Sequence, residues 1–339
     1  MVEEIVLKVS GKKHQAREVS LPIPLSEIPE ISGERLNTGI EEFDHWFKFK
    51  RNSLYLCTGK LGRGKTTVQQ FLFVMASMVN DWKWLIVCME NSKMDFAENL
   101  ISFVLRRNAK EVKQSNPSLY KMAHDFVSSH FQFVTSEVNN IDMLVEVATK
   151  YHKVFPFDAM FIDPVNSIQP KAGSDWDFNT GVGAASKILR FREEVASVFI
   201  SQHPIMSKQR DSSSPSSADG EGGYFANKAD FAFVLDRASG SNQTFMKIDK
   251  VRNRKTGGNE TDPENPIELI YDYSNFEMRV PFQNNGMMQY QFIKNTLPPF
   301  PPNTGTEQSE MDLQPTYSQP ISKENSDFEF GSEEDSPPF

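Results

Sequence analysis

Cysteine is scarce in this chain of 339 residues, Cys57 and Cys88 being the only two. Both fall in apolar stretches that read as buried strands. Free core thiols in a reducing compartment fit that placement, and a disulfide-stapled secreted domain does not. Long apolar runs are missing too: nothing approaches the roughly 20 apolar residues that a membrane-spanning helix needs. The start, Met1-Val2-Glu3-Glu4-Ile5, has neither the basic opening nor the apolar core of a signal peptide. A soluble, intracellular protein with no membrane partner is expected. Basic charge is not in excess either, the formal net charge being −9. From Asn303 onward nine acids stand against Lys323 alone, so the tail carries −8 and residues 1–302 carry −1. Bulk charge gives no reason to expect nucleic-acid binding, although a near-neutral body can still present a local basic surface. No internal repeat is visible.

What the sequence does have is Gly59-Lys60-Leu61-Gly62-Arg63-Gly64-Lys65-Thr66, which fits G-x-x-x-x-G-K-[ST] at every fixed position. An apolar run, 53–58, precedes it as a strand, and Thr67 opens a segment that reads as a helix. Strand, glycine loop and helix together are the setting this motif needs. The glycines let backbone N–H groups and the helix N-terminus face a polyphosphate. Lys65 would reach the β- and γ-phosphates of ATP or another nucleoside triphosphate, and the Thr66 hydroxyl would ligate Mg²⁺.

Residues 1–32 mix charge with Pro22, Pro24 and Pro29 and read as an extension. Thr38 and Glu41 have capping-box spacing, and Ile40, Phe43 and Phe47 then recur at helical steps. Strand candidates follow at 54–58, 84–89, 131–135, 159–163 and 198–201, with helical patterns at 94–106 and 141–152. That alternation predicts a mostly parallel sheet covered on both faces. After Asp230 strand follows strand, at 231–235, 244–251 and 267–271. A parallel nucleotide-binding core with antiparallel C-terminal strands is the RecA-like plan, expected over 33–282. Two segments look unstructured. Residues 207–223 are too polar to pack as an element, and from Pro281 the Gln-, Asn-, Pro- and Glu-rich chain reads as disordered, so 283–339 is taken as a tail.

Hydrolysis needs a metal-holding acid and a group to activate water. The apolar strand 159–163 ends in Asp163, the Walker B pattern; alone that also describes an ordinary loop carboxylate, but downstream of a phosphate loop it becomes the Mg²⁺ acid. Glu90 ends the strand 84–89, at the edge where such sheets bind ligands. It is placed to orient or deprotonate the attacking water, the alternative being a helix-capping acid that shares its work with Asn91 and Ser92.

Met89-Glu90-Asn91, Ile162-Asp163-Pro164-Val165-Asn166, Gln202-His203-Pro204 and Asn227-Lys228-Ala229-Asp230 occur in that order. The series resembles the helicase domain of the Twinkle-type replicative helicases and phage primase–helicases, relatives of the bacterial DnaB helicases, over residues 33–273. The resemblance implies an ATP-driven DNA helicase that translocates on single-stranded DNA as a homo-oligomeric ring, a hexamer. It implies that His203 is the γ-phosphate sensor. It also implies that Lys250 and Arg252, the Lys-x-Arg of the late strand, reach into the neighbouring subunit's site, Arg252 as an arginine finger. Lys208 and Arg210 fall where one DNA loop belongs, and Lys171 falls in the other candidate loop, 166–179. Departures accompany these matches. About 30 residues precede the motor segment, so no priming activity is expected, and Arg51-Asn52-Ser53 stands where a Pro-Gly turn is typical.

Two other readings share the ATP chemistry: a RecA- or RadA-type recombinase that forms open filaments, and a nucleotide-gated loading or recruitment factor without unwinding. The C-terminus adds a partner expectation. Glu333, Glu334, Asp335, Pro338 and Phe339 form an acidic, Phe-ended tip resembling those of bacterial single-stranded-DNA-binding proteins. Steering by charge and docking by Phe339 onto a replisome protein such as a DNA polymerase is the expectation; a merely solubilising tail is the alternative.

Overall fold

The computed structural model describes residues 36–292, except 40, 136, 211–214, 221–222, 238–240, 242, 254–257, 263, 273–275 and 285–286, together with the two-residue strands Lys8–Val9 and Lys12–Lys13. Met1–Pro302 forms one unit. The acidic tip from Glu333 to Phe339 and most of residues 1–32 lie outside the described residues.

The first main strand, β1 (Leu54–Thr58), is buried at all five positions. Next in chain order come α1 (Lys65–Asn80), β2 (Trp84–Cys88), α2 (Lys93–Leu105), α3 (Ala109–Ser115), α4 (Pro117–His130), β3 (Phe131–Phe133) and α5 (Ile141–Val154). Then come β4 (Ala159–Asp163), α6 (Phe178–Glu194), β5 (Ser197–Gln202), α7 (Met206–Arg210), α8 (Tyr224–Lys228), β6 (Phe231–Asp236), β7 (Gln243–Val251), β8 (Ile267–Asp272), β9 (Glu277–Asn284) and β10 (Met287–Phe292). The ten strands form one sheet in the order β10-β9-β8-β7-β6-β1-β5-β4-β2-β3. From β6 to β3 every pairing is parallel; from β6 outward through β10 every pairing is antiparallel. This is the RecA-like architecture, with the parallel core and antiparallel C-terminal strands that the element pattern predicts.

Strand pleating sorts the core into two layers. Tyr55, Cys57, Trp84, Ile86, Phe161 and Phe199 face one side, where α1, α2 and α4 pack. Leu54, Leu56, Leu85, Val87, Met160, Ile162, Val198 and Ile200 face the other, against α5, α6 and α8. The first layer is aromatic: Tyr55 stacks on Phe199 with centroids 4.1 Å apart, and Phe73 of α1 meets Trp84 at 4.0 Å. Fully buried rings of this size fix the height of α1 above the sheet, and with it the phosphate loop that α1 opens from.

The structure differs from the sequence expectation in four places. The stretch expected to be disordered from Pro281 instead continues β9 and, through the register Asn284↔Met287, pairs it with β10. The intervening Asn285-Gly286 is a hairpin signal that the polar composition obscures. The described parts of the polar segment 207–223 also pack. Ser216 and Asp219 cap a short turn of helix, Ser217–Asp219, reciprocally, and Pro215, Ser217 and Gly220 are buried. Helices α3 and α4 carry no strong apolar stripe, and the hydrophobic pattern does not predict them. Finally, the Thr38 hydroxyl donates to Asp44 at 2.7 Å, two positions beyond helical capping range, so Thr38 is pinned by Asp44 in place of the Thr38–Glu41 pairing expected from spacing.

Candidate active site

Strands β1, β5, β4 and β2 lie side by side, and all four end at the same edge of the sheet. Each delivers a polar side chain there: Lys65 and Thr66 after β1, His203 after β5, Asp163 at the end of β4 and Glu90 after β2. The crevice at the carboxyl ends of parallel strands is where such sheets bind ligands.

The loop Gly59–Gly64 turns tightly because Gly62 and Gly64 adopt positive φ, 69° and 83°. At Gly59 a Cβ would lie 2.6 Å from the Leu235 carbonyl oxygen, so a side chain there would displace the loop. The N-terminus of α1 has no side-chain cap. Its first-turn N–H groups and the glycine backbone therefore offer donors to an anion. Lys65 is buried, its Nζ donating to the Lys60 carbonyl at 3.0 Å and meeting His203 Nδ1 at 3.1 Å. Burial pushes the Lys65 ammonium below its ordinary value, while the charges of Asp163 and Glu90 work the other way. Leu61 is exposed at the loop tip, Arg63 Nε lies 3.8 Å from the Asp236 carboxylate, and Thr67 is half-buried in the first turn of α1.

The Thr66 hydroxyl donates to Asp163 Oδ2 at 2.9 Å. Burial pushes the Asp163 carboxyl up, against the hydroxyls of Ser201 and Thr66 and the Lys65 ammonium. A hydroxyl and a buried carboxylate beside a phosphate loop make a hard oxygen pair that suits Mg²⁺, which takes most of its remaining ligands from substrate phosphate and water. Glu90 is half-exposed, and its two carboxylate oxygens lie 3.3 and 3.4 Å from His203 Nε2. An ammonium can only donate, so the contact with Lys65 assigns Nδ1 as acceptor and places the proton on Nε2, where it is donated to Glu90. His203 thus bridges Lys65 and Glu90.

Three residues of this site escape a reading of the sequence alone. Asn166 Oδ1 accepts from the His203 backbone N–H at 2.8 Å and fixes where that residue leaves β5. Arg237, just past β6, donates to the Gly62 carbonyl at 2.6 Å and braces the phosphate loop. Ser201 stands next to Asp163 across the β4–β5 pairing. None sits in a local motif, and only strand adjacency brings them in.

The predicted residues divide into two groups. Lys65, Thr66, Asp163, Glu90 and His203 converge. Lys250 and Arg252 do not: β7 runs antiparallel to β6, and Val251 pairs with Phe231 at the start of β6. They therefore lie at the opposite edge of the sheet from their own phosphate loop. There Lys250 Nζ donates to the carbonyls of Ala226 and Asn227 at 2.8 and 3.0 Å. Arg252 Nη2 donates to Asn227 and Lys228 at 3.4 and 3.0 Å. Lys171 and Lys208 are exposed on segments that follow β4 and β5; the Arg210 side chain lies outside the described ones.

The profile of the KaiC ATPase family matches residues 36–262 of this chain. Circadian clock protein KaiC2 from Synechocystis sp. is 32% identical over 114 residues, which cover 30% of this chain and 20% of that protein. The match thus spans about a fifth of that relative's length. Among solved structures, an ATPase domain determined as a separate unit superposes with a TM-score of 0.58 at 16% identity, covering 72% of this chain and 90% of that one. A DnaB-like replicative helicase, solved in a study of its interactions with primase, gives 0.56 at 16% identity, covering 71% of this chain and 62% of that one. At such identity the likeness establishes a shared fold. In that respect it agrees with the DnaB-like resemblance read from the motifs.

Proposed function

The chain belongs to the KaiC family of ATPases and is an ATP-hydrolysing P-loop enzyme of RecA-like fold, and from that premise we propose that it is a DnaB-like helicase motor, driven along single-stranded DNA as a homo-oligomeric ring. The observation that carries this reading is the division of cations between the two edges of the sheet. Lys65 stands in the phosphate loop, whereas Lys250 and Arg252 stand at the far ends of the strands, roughly 15–20 Å away at about 3.3 Å per residue. They are out of reach of their own nucleotide but well placed for that of a neighbour stacked head to tail. A guanidinium supplied across a subunit boundary stabilises the charge of phosphoryl transfer and makes turnover depend on assembly. Head-to-tail contacts close into rings where the rotation allows.

In this reading Lys65 neutralises the β- and γ-phosphates, and Glu90 orients the attacking water and takes its proton. The γ-phosphate competes for Lys65 and for the His203 imidazole. Its arrival therefore breaks the bridge that ties His203 to Glu90 and releases Glu90 toward the water. Thr66 and Asp163 would hold Mg²⁺, which supplies charge neutralisation on the phosphate oxygens. Lys171 and Lys208 lie a few residues beyond Asp163 and His203, on exposed segments suited to tracking a DNA backbone without reading bases.

The test joins two measurements on the purified protein: ATP hydrolysis with and without single-stranded DNA, and strand displacement on forked duplexes of either polarity. Stimulated hydrolysis with displacement, and rings under the electron microscope with a non-hydrolysable nucleotide, are the expected results. Open filaments with strand exchange would make it a recombinase. Nucleotide binding without DNA-stimulated turnover would make it a loading or recruitment factor.

A further inference from the structure

Lys250 and Arg252 share their corner of the molecule with one carboxylate that the site described above does not use. Asp230 begins where α8 ends and β6 starts, and it is held on three sides. Its backbone N–H donates to the Leu54 carbonyl at 2.8 Å, and its Oδ2 accepts from the Leu54 N–H at 2.9 Å. The same Oδ2 accepts from Arg192 Nη1 of α6. These contacts leave the group four-fifths buried and give it one orientation. The finger strand is then fastened to it twice: the Arg252 backbone N–H donates to the Asp230 carbonyl at 2.8 Å, and Arg252 Nε lies 3.6 Å from Asp230 Oδ1.

The charge distribution gives this contact a purpose. Lys250, Arg252 and Lys228 crowd together. The Lys250 ammonium is pushed below its ordinary value by burial first and then by Arg252, with Lys228 adding and Asp230 opposing. Carbonyls at the end of α8 take Lys250 Nζ and one edge of the Arg252 guanidinium. With Nε turned to Asp230 and Nη2 to those carbonyls, Nη1 is the donor that the described hydrogen bonds leave uncommitted. A cavity of about 270 Å³ lined by Lys50, Tyr55, Asp230, Arg252 and Asn253 lies beside it, so the guanidinium has room to swing unless something restrains it.

We propose that Asp230 is a positioning residue for phosphoryl transfer in the adjacent subunit: it fixes the direction in which Arg252 projects and balances the cations gathered at the end of β7. The inference rests on the reading of Arg252 as a finger that acts across the subunit boundary. The competing view makes Asp230 only a tie between β1, β6 and α6 within its own subunit.

Subunit mixing separates the two. Asp230→Asn keeps the shape and the Leu54 acceptor but removes the charge. Alone it should lower the kcat of ATP hydrolysis about tenfold or more, with KM for ATP within about twofold of the wild type. Lys65→Ala subunits have no working site but carry an intact finger. Titrating them into Asp230→Asn should restore hydrolysis at the boundary where an intact finger meets an Asp230→Asn site. A purely structural Asp230 gives no such recovery, because the damage stays with the site being measured, and that result overturns the proposal. Arg252→Ala mixed with Lys65→Ala is the control for the underlying reading. If that pair recovers activity and the Asp230→Asn pair does not, the role of Asp230 alone fails. If neither pair recovers, the trans finger fails and takes this inference with it. Should Asp230→Asn melt below the assay temperature, Asp230→Glu serves instead. It retains the charge and has the cavity to accept one more methylene, so a kcat near wild type is expected, and a loss as deep as that of Arg252→Ala would overturn the proposal.

Discussion

At the scale of single residues, Lys65 and Glu90 should fail in different ways. Lys65→Ala removes the buried ammonium that meets the phosphates. Charged hydrogen bonds contribute about 1.5–3 kcal/mol, so nucleotide affinity should fall about 10- to 100-fold, as read by titration with a fluorescent nucleotide. Glu90→Gln keeps the shape and loses the basicity: affinity should hold while kcat drops about 10²- to 10⁴-fold. A Glu90→Gln enzyme that turns over at a near-normal rate would take the water-activating role away from Glu90. Asp163 supplies a pH signature. Burial raises its folded value above the unfolded one, so it adds stability that is full below the unfolded value and is lost as pH rises through the folded value. A divalent metal needs the carboxylate, so protons compete with Mg²⁺. Mg²⁺-dependent nucleotide affinity should therefore weaken on acidification at a pH above the ordinary carboxylate range, and Asp163→Asn should flatten that dependence. An unchanged profile in Asp163→Asn would assign the titration elsewhere.

At the scale of elements, Gly258 shows how the N-terminal edge is fastened. It bridges Phe47, and at φ 103° a Cβ would lie 2.1 Å from the Trp46 carbonyl oxygen. Phe47 is fully buried and meets Phe49 and Phe231 edge to face. Gly258→Ala must shift backbone, not a flexible side chain, so a loss of roughly 2–4 kcal/mol is expected, read as a lower urea midpoint at unchanged slope. The elements also show what is legible in the sequence. Strands β1, β2, β4 and β5 are readable because burial on both faces leaves continuous apolar runs, and each site residue that converges stands at the end of one of them. Helices α3 and α4 are not. Of α3 only Ala109 and Val112 are buried, and of α4 only Ala123, Val127 and His130. So few anchors leave little periodicity. Their signals are local and polar instead: the Asn108 side chain caps α3, and Asn116 caps α4 with Pro117 in its first turn. Arg237 and Asn166 are hidden for another reason, since each reaches the site only because sheet order places its strand end there.

At the scale of the whole molecule, the two edges of the sheet carry complementary halves of one reaction, and a dilution experiment reads how those halves are shared. In a mixed assembly each Arg252→Ala subunit deprives one neighbouring site of its finger. If sites act independently, activity falls in direct proportion to the fraction of variant, because each lost finger silences one site. In a ring whose subunits hydrolyse in turn around a single DNA strand, one silent site stalls the others. DNA-stimulated hydrolysis should then fall more steeply than in proportion, while the affinity of each subunit for nucleotide stays near wild type, since Lys65, Thr66 and Asp163 are untouched. Basal hydrolysis without DNA should follow the shallower line, because no strand couples the sites. A strictly proportional loss in the presence of DNA would leave the trans finger standing but remove the coupled ring. An unchanged rate at every mixing ratio would remove both.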